Sequence, residues 1–425
     1  MNAATRLSAV LALAVLLSAC AASAPPPPPL LEAIAPLPLP AQNWARPTLY
    51  FATSRNVLDP GTDTRSARFG GARSREVSYG EVRGHLTGAG AGAQDRMDVK
   101  ADIERVGRYT RQRFVQELER AAARTPGREV VVFIHGYGNS FEDAARTALR
   151  IGHGVGASGA LVLYSWPSAG SAPAYMADRN NAYWAVQSLK EFLADVTSSR
   201  WIERVSVVVH SMGNEAFIRA YSELAAECSG PRMSAPELRK VRNIVLAAPD
   251  MDREIFLDQY AARMTSLGAR VTLYASASDM ALRASASVQG GDYERLGRSV
   301  ACIPGLLVAD ATDVKTDVLG HSWISDSRAV LTDLRCALTE GCNRLATGLL
   351  RESICTPDMM YALPEVAARG GLTKANSGQF YWRLNVGNGA GNGAQGQAPA
   401  AASASGTSSG GVGGVLDSLG LKLPW

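Results

Sequence analysis

The sequence has little net charge and few histidines for a chain of 425 residues. Its 43 Lys and Arg residues exceed its 39 Asp and Glu residues by only four, and they are scattered along the chain. So small and dispersed an excess of positive charge argues against a nucleic-acid partner. No internal repeat occurs at the periods of solenoid proteins, which leaves an ordinary globular domain with tails as the expected organisation.

Cysteine is also scarce, with six residues in the chain. No Cys-x-x-Cys pair occurs and no histidine lies among the C-terminal cysteines, so we expect no metal site, and nothing implies an organic cofactor. In an exported protein the cysteines would meet an oxidising compartment, where disulfides form. We expect one disulfide within the C-terminal cluster, and the odd number of cysteines after Cys20 leaves a free thiol or an intermolecular bond. These five are Cys228, Cys302, Cys336, Cys342 and Cys355, of which the last three form the cluster.

The first twenty residues have the pattern of an export signal. Arg6 precedes an apolar run from Leu7 to Leu17, which is too short to span a bilayer as a mature helix. The run ends in Leu-Ser-Ala-Cys, which resembles a bacterial lipobox, so Cys20 is the predicted lipidated first residue of the mature protein. An ordinary signal peptide cleaved near the same point is the alternative. No aspartate follows Cys20 directly, and residue 22 is Ala22, which by resemblance to bacterial sorting signals favours the outer membrane. We therefore expect an exported protein, lipid-anchored in the bacterial cell envelope and facing the periplasm.

Two further segments are too biased in composition to form a core. Residues 21–47 are rich in proline and predict an extended, stiff tether. Residues 386–425 form a tail rich in Gly, Ala and Ser, which cannot bury enough apolar surface to offset the entropy of ordering it. The intervening sequence is predicted to contain the main domain, residues 48–345, and a C-terminal extension, residues 346–385.

Within residues 48–345, short apolar runs alternate with amphipathic segments of helical period. Runs such as VVVFI, VSVVV and NIVLAA are apolar at nearly every position, which is typical of strands buried on both faces of a parallel sheet. The pattern predicts an α/β fold, with a doubly wound, mostly parallel sheet and helices on both faces. Near the start, the apolar residues of 101–124 fall at roughly helical spacing and predict one long helix. In such sheets, function gathers at the carboxyl ends of the strands.

One predicted strand ends in His-Ser-Met-Gly-Asn (210–214), and a predicted helix follows at once. A serine on a sharp strand-to-helix turn is the arrangement of a nucleophile elbow, whose pattern is Gly-x-Ser-x-Gly. Ser211 and Gly213 match this pattern, whereas Val209 stands in place of the first glycine. The alternative is a serine that only caps the helix. The turn therefore predicts Ser211 as a candidate nucleophile.

A serine nucleophile needs a base, and the chain order in doubly wound hydrolases is serine, acid, histidine. His321 is the predicted base because it alone follows Ser211, and a surface or capping role is the alternative. Asp279 follows the penultimate predicted strand, which usually carries the acid, and is predicted to orient His321. Asp250 is the runner-up, with Asp252 behind it, and helix capping is the alternative for each. The chain's five histidines are His85, His135, His153, His210 and His321.

The stretch His-Gly-Tyr-Gly-Asn (135–139) ends another predicted strand and holds more glycine than a simple turn needs. It has neither the lysine nor the spacing of a phosphate-binding loop. In hydrolases of this architecture such a loop donates one N–H group to the oxyanion hole, and the residue after the nucleophile donates the other. We therefore predict Tyr137 and Met212 as the oxyanion-hole donors. Gly136 is predicted to let the backbone approach the substrate, and His135 to be a structural residue beneath the site.

Four aromatic residues follow the next predicted strand and could line an acyl pocket. Their spacing is more typical of core residues, so they are not assigned to the site. They are Trp166, Tyr175, Tyr183 and Trp184.

The stretches LYFATSRN, VVVFIHGYGNSFEDAARTA, SWPSAG, VVHSMGNEAF, VLAAPDMD, YASASDMAL and GHSWI together resemble a bacterial esterase/lipase-like group of α/β hydrolases of unknown function. The resemblance covers about residues 48–338 and implies Ser211 as nucleophile, His321 as base and an aspartate between them. It implies no particular substrate. We expect a serine hydrolase of the carboxylesterase or lipase type, acting on a small-molecule or lipid ester through an acyl-enzyme. The alternatives are an acyltransferase with the same triad and a catalytically silent envelope lipoprotein that binds or tethers partners.

Overall fold

The computed structural model describes residues 43–59, 67–88, 99–125, 127–157, 160–227, 235–291, 293–314, 320–344, 350–360 and 380–384. The predicted signal with Cys20, most of the proline-rich tether and the Gly/Ala/Ser-rich tail lie outside these described residues, as does Cys228. The lipid anchor and the tail therefore stay predictions. In the described part of the chain, no helix is both long and apolar enough to cross a membrane.

A single mixed sheet runs through the described residues. Its strands are β1 (Thr48–Val57), β2 (Phe69–Thr87), β3 (Lys100–Tyr109), β4 (Glu129–Ile134), β5 (Ala160–Ser165), β6 (Arg204–His210), β7 (Val241–Ala247), β8 (Arg270–Ala275), β9 (Leu306–Asp310), β10 (Leu350–Ile354) and β11 (Phe380–Leu384). Their spatial order is β10-β11-β9-β8-β7-β6-β4-β5-β1-β2-β3. The seven neighbouring pairs from β11 to β1 are parallel, and only the pairs at the two ends are antiparallel. The predicted doubly wound, mostly parallel α/β fold is confirmed.

Helices cover both faces of this sheet because successive side chains of each central strand point to opposite faces. In β4, Val132 packs into a core that contains Phe192, whereas its neighbour Phe133 packs into a second core that contains Leu149. The helices are α1 (Arg111–Ala122), α2 (Phe141–Gly154), α3 (Tyr175–Trp184), α4 (Val186–Ser198), α5 (Gly213–Ala226), α6 (Ala235–Leu238), α7 (Arg253–Gln259), α8 (Ala261–Thr265), α9 (Met280–Val288), α10 (Trp323–Asp326) and α11 (Arg328–Leu338), with 3₁₀ turns at Ala172–Ala174, Leu296–Arg298 and Pro357–Met359.

The single long helix predicted over residues 101–124 is wrong for its first half. Residues 100–109 form β3, which pairs antiparallel with β2 as the edge of the sheet, and α1 begins only at Arg111. Thr110 sets this boundary, because its backbone is extended and its hydroxyl accepts a hydrogen bond from the N–H of Arg113 at 3.2 Å. Ile103 and Val106 are compatible with helical spacing, but pairing with a long neighbouring strand overrides so weak a local preference.

The segment predicted as a C-terminal extension contributes two strands to the same sheet, since β11 pairs in parallel with β9 and β10 pairs with β11. Two disulfides fasten this region. Cys336–Cys342 closes the end of α11, which confirms the predicted disulfide within the C-terminal cluster. Cys302–Cys355 joins the end of β10 to the segment before β9, a partnership that sequence spacing did not indicate.

Candidate active site

An open cavity of about 270 Å³ lies at the carboxyl ends of the central strands. The loops after β4, β6 and β7 form its floor, and side chains of α2, α9 and α10 form its walls. Of the residues predicted for the site, Ser211, His321, Tyr137 and Asp250 line the cavity. The other two, Asp279 and Met212, are fully buried.

Ser211 lies in the turn between β6 and α5 in a strained backbone conformation. Its φ angle is +53°, in the left-handed region that costs an L residue about 1–2 kcal/mol. The turn also needs small neighbours. A Cβ atom on Gly213 would lie 2.3 Å from the carbonyl oxygen of His135, and one on Gly136 would lie 2.7 Å from the Cβ atom of Ser211. Val209, at the position of the first glycine of the pattern, is still within β6 and fully buried in the core.

His321 and Asp279 are in direct contact although 42 residues separate them. The Nδ1 atom of His321 lies 2.6 Å from the Oδ2 atom of Asp279. The other carboxylate oxygen of Asp279 accepts a hydrogen bond from the N–H of Leu282 at 2.9 Å and caps α9, so Asp279 both caps the helix and contacts the histidine. A carboxylate partner requires a proton on Nδ1, which leaves the lone pair of a neutral imidazole on Nε2.

Asp250, the runner-up for the acid, lies in the cavity wall but is held by other partners. Its Oδ1 atom accepts from Arg295 Nε at 2.9 Å and from the hydroxyl of Ser285 at 2.5 Å, and its Oδ2 atom accepts from the hydroxyl of Tyr175 at 2.8 Å. Asp252 instead caps α7 through the N–H of Ile255. Among the three candidate aspartates, the structure therefore brings only Asp279 into contact with His321.

The loop that carries Tyr137 is fixed by a buried aspartate that sequence reasoning missed. Asp178 of α3 accepts hydrogen bonds from the N–H groups of Gly138 at 3.1 Å and Ala169 at 2.7 Å, and from the hydroxyl of Ser168 at 2.5 Å. The ring of Tyr137 lies edge-on to the ring of Tyr175 in the cavity wall, with ring centroids 5.3 Å apart. This loop therefore has a fixed position relative to the cavity.

Met212 precedes the first residue of α5, and the N–H groups at a helix start have no intrahelical acceptor. The near-contact between Gly213 and the carbonyl oxygen of His135 shows that the loop after β4 and the start of α5 are adjacent. The two predicted donor positions, Tyr137 and Met212, therefore lie on neighbouring segments at the floor of the cavity.

A comparison with known protein families agrees with this architecture. Residues 110–335, more than half of the chain, match a family described as α/β hydrolases of unknown function (DUF900). The chain belongs to this family. Comparison with the curated proteins found no significant match. The family match covers all the strands and loops that carry Ser211, Asp279 and His321, but it begins after the first three strands of the sheet.

Arg55 lies outside the residues that match the family, but it connects the loops after β4 and β5. It lies on β1, is buried, and donates from Nε to the hydroxyl of Ser165 at 2.8 Å. Its two terminal nitrogens donate to the carbonyl oxygens of Ser168 and Asn139, each at 2.7 Å. Burial lowers the pKa of Arg55 to about 10, with nearby acidic residues opposing the shift. No local pattern in the sequence pointed to this role, since β1 carries several other polar residues beside Arg55.

His135 is a buried, neutral component of the same framework. Its Nδ1 atom lies 2.7 Å from the carbonyl oxygen of Gly136, which requires a proton there, so Nε2 is an acceptor facing the hydroxyl of Ser165 at 3.0 Å. The ring stacks on Trp166 at 4.9 Å, and the indole N–H donates to the carbonyl oxygen of His135. Burial, and after it the charge of Arg55, lower the pKa of His135 to about 3.

His210 contacts both the ring and the backbone of His321, the candidate base. Its ring lies 4.8 Å from that of His321, and its Nε2 atom lies 3.1 Å from the carbonyl oxygen of His321. His210 therefore holds the backbone of the histidine whose ring Asp279 orients. Within the described residues of this DUF900 member, no group of three or more His, Cys, Asp or Glu side chains is arranged to hold a metal ion.

Proposed function

We propose that this α/β hydrolase is a serine esterase of the carboxylesterase or lipase type, with Ser211 as nucleophile, His321 as base and Asp279 as acid. One observation carries the proposal: the 2.6 Å contact between His321 and Asp279 beside a cavity that Ser211 also lines. The strained turn at Ser211 supports it, because such strain persists where a function requires it.

The arrangement supports acyl transfer through an acyl-enzyme. Ser211 Oγ attacks the ester carbonyl carbon while His321 Nε2 accepts the hydroxyl proton, and the tetrahedral intermediate carries the negative charge on the former carbonyl oxygen. His321 then gives this proton to the leaving alcohol as the carbon–oxygen bond breaks. A water molecule, deprotonated by His321, then attacks the acyl-enzyme. The bond between the acyl carbon and Ser211 Oγ breaks as His321 returns the proton to Oγ, which releases the acid and restores the serine. Asp279 keeps the proton of His321 on Nδ1 and stabilises the imidazolium that forms in each step.

Stabilisation of the oxyanion is assigned to the N–H groups of Tyr137 and Met212. Loss of one such donor typically slows the reaction about 10²–10³-fold. The hydrogen bonds that Asp178 and Arg55 make to the cavity loops support this assignment, because an oxyanion hole works only if its donors are held in position before the reaction.

The proposal is tested by labelling the purified protein with a fluorophosphonate and by assaying a series of p-nitrophenyl esters. We expect the wild type to be labelled and Ser211→Ala and His321→Ala to be inert. Asp279→Asn should reduce kcat by about 10⁴-fold, because an amide favours the wrong histidine tautomer. Asp252→Asn is the matched control, since the same chemical change at a helix cap should leave activity intact. A folded wild type that is neither labelled nor active would instead favour a catalytically silent envelope protein.

We also propose that the enzyme acts from the outer membrane, anchored in the periplasm through a lipid on Cys20. The lipobox-like sequence at the end of the export signal supports this location. Metabolic labelling with a radioactive fatty acid should mark the wild type and leave Cys20→Ser unlabelled. Equal labelling of both proteins, or of neither, would contradict the anchor.

A further inference from the structure

One wall of the cavity is polar, although it is almost completely buried. Tyr175, Asp250 and Ser285 line the cavity and are each no more than 5% exposed. This polar wall stands next to the proposed nucleophile, because the backbone N–H of Asp250 donates to the carbonyl oxygen of Ser211 at 3.2 Å. A ligand that reacts at Ser211 therefore lies within reach of these three side chains.

All the hydroxyl protons of the polar wall are used within it. Tyr175 and Ser285 have one such proton each, and three contacts compete for these two protons: 2.8 Å and 2.5 Å to Asp250 and 2.7 Å between the two hydroxyl oxygens. The amide nitrogen of Gln289 donates to both hydroxyls, at 2.6 Å and 3.1 Å. The polar wall can therefore accept a hydrogen bond from a ligand but not donate one, and Asp250 Oδ2 is the main acceptor.

The polar wall carries no excess charge. Arg295 Nε lies 2.9 Å from Asp250, and both side chains are at least 96% buried, so the positive charge compensates the carboxylate. A cationic ligand would meet the buried guanidinium as well as the carboxylate and gain little. A neutral donor, such as an alcohol, needs only a free lone pair and desolvates at lower cost than an ammonium group. The polar wall is therefore suited to a hydroxyl group.

We propose that Asp250, in the polar wall that Tyr175 and Ser285 complete, accepts a hydrogen bond from a hydroxyl group of the substrate, so that the enzyme selects small hydroxylated esters. The inference rests on the proposed esterase function and names its substrate class. The cavity volume of about 270 Å³ is just below the range of about 300–1,000 Å³ found for drug-sized ligands, which favours a small substrate. The hydroxyl can belong to the acyl group or to the leaving alcohol.

The test compares esters that differ only by a hydroxyl in place of a methyl group, with the full-length chain purified in detergent. For the acyl group, the p-nitrophenyl esters of 3-hydroxybutyrate and 3-methylbutyrate are compared. For the leaving alcohol, 2-hydroxyethyl butyrate and propyl butyrate are compared. We expect kcat/KM to favour the hydroxylated ester by about tenfold or more in one of the two pairs, as for a hydrogen bond to a charged acceptor. A ratio near one in both pairs overturns the proposal.

Two variants distinguish ligand recognition from a structural role. Asp250→Asn replaces an acceptor by a donor and should abolish the preference for the hydroxylated ester, whereas Asp252→Asn should keep it. Tyr175→Phe removes a donor from Asp250 Oδ2 and leaves that oxygen open to the substrate hydroxyl, so the preference should persist or increase. A loss of preference in Tyr175→Phe would overturn the proposal even if Asp250→Asn misfolds.

Fluorophosphonate labelling of each variant separates this inference from the proposed function. Labelled protein without any hydroxyl preference contradicts only the substrate class. Folded wild-type protein that is neither labelled nor active on any ester contradicts both.

Discussion

Acid should destabilise this protein in part through His135, and the size of the effect follows from the surroundings of this buried histidine. Burial and the charge of Arg55 lower the pKa of His135 from 6.5 to about 3. Between these pH values the unfolded chain binds a proton that the folded protein excludes. Stability that is present above pH 6.5 is therefore lost progressively as the pH falls towards 3. At about pH 4.5, two units below the unfolded pKa, the loss amounts to about 3 kcal/mol.

The assay is urea unfolding near pH 7 and near pH 4.5, with wild type beside His135→Gln. The variant loses the stacking on Trp166 and should be less stable near neutral pH. It cannot take up the proton, however, so its free energy of unfolding should fall by about 3 kcal/mol less between the two pH values. All other groups titrate alike in both proteins and cancel in the comparison. Equal losses in the two proteins would refute the assignment of a buried neutral imidazole.

The remaining predictions concern the disulfides and the turn at the site. Removing Cys302–Cys355, which closes a loop of 53 residues, should cost about 4 kcal/mol, whereas removing Cys336–Cys342, which closes a loop of six, should cost about 2 kcal/mol. Denaturant unfolding of the two double-serine variants measures the difference, and equal or reversed losses would contradict the loop-entropy argument. Gly213→Ala should lower kcat at least tenfold, because the added Cβ atom would lie 2.3 Å from the carbonyl oxygen of His135 and displace the turn that holds Ser211. Wild-type ester turnover by this variant would show that the turn can relax.

The buried strands could be predicted from sequence because a strand covered on both faces is apolar at nearly every position. That pattern located β4 to β9 and placed Ser211 at the end of a strand. It failed over residues 100–109, where Ile103 and Val106 stand three positions apart, as on one face of a helix. In the strand, a register shift in the pairing with β2 brings both side chains to the same core. The same limit applies to β10 and β11, which are short strands in a segment of weak pattern.

The candidate site was predicted less completely than the fold, because contacts between distant residues have no local signature. The choice between Asp279 and Asp250 depended on a general expectation about strand order. The contact that distinguishes them joins residues 42 positions apart. Tyr175 was assigned to the core by its spacing, yet it is both buried and part of the cavity wall. Arg55 and Asp178 gave no signal of their own, since each acts on loops that fold from elsewhere in the chain.

The position of Arg55 has a consequence for how this domain can be divided. The DUF900 match begins at residue 110 and contains Ser211, Asp279 and His321, so it includes every group to which we assign chemistry. A chain cut to residues 110–335 would nevertheless lose the guanidinium of Arg55, and with it the donor that joins the carbonyl oxygens of Asn139 and Ser168. A fragment that is to be expressed alone, permuted or fused to another protein should therefore begin with β1, some sixty residues before the family match begins.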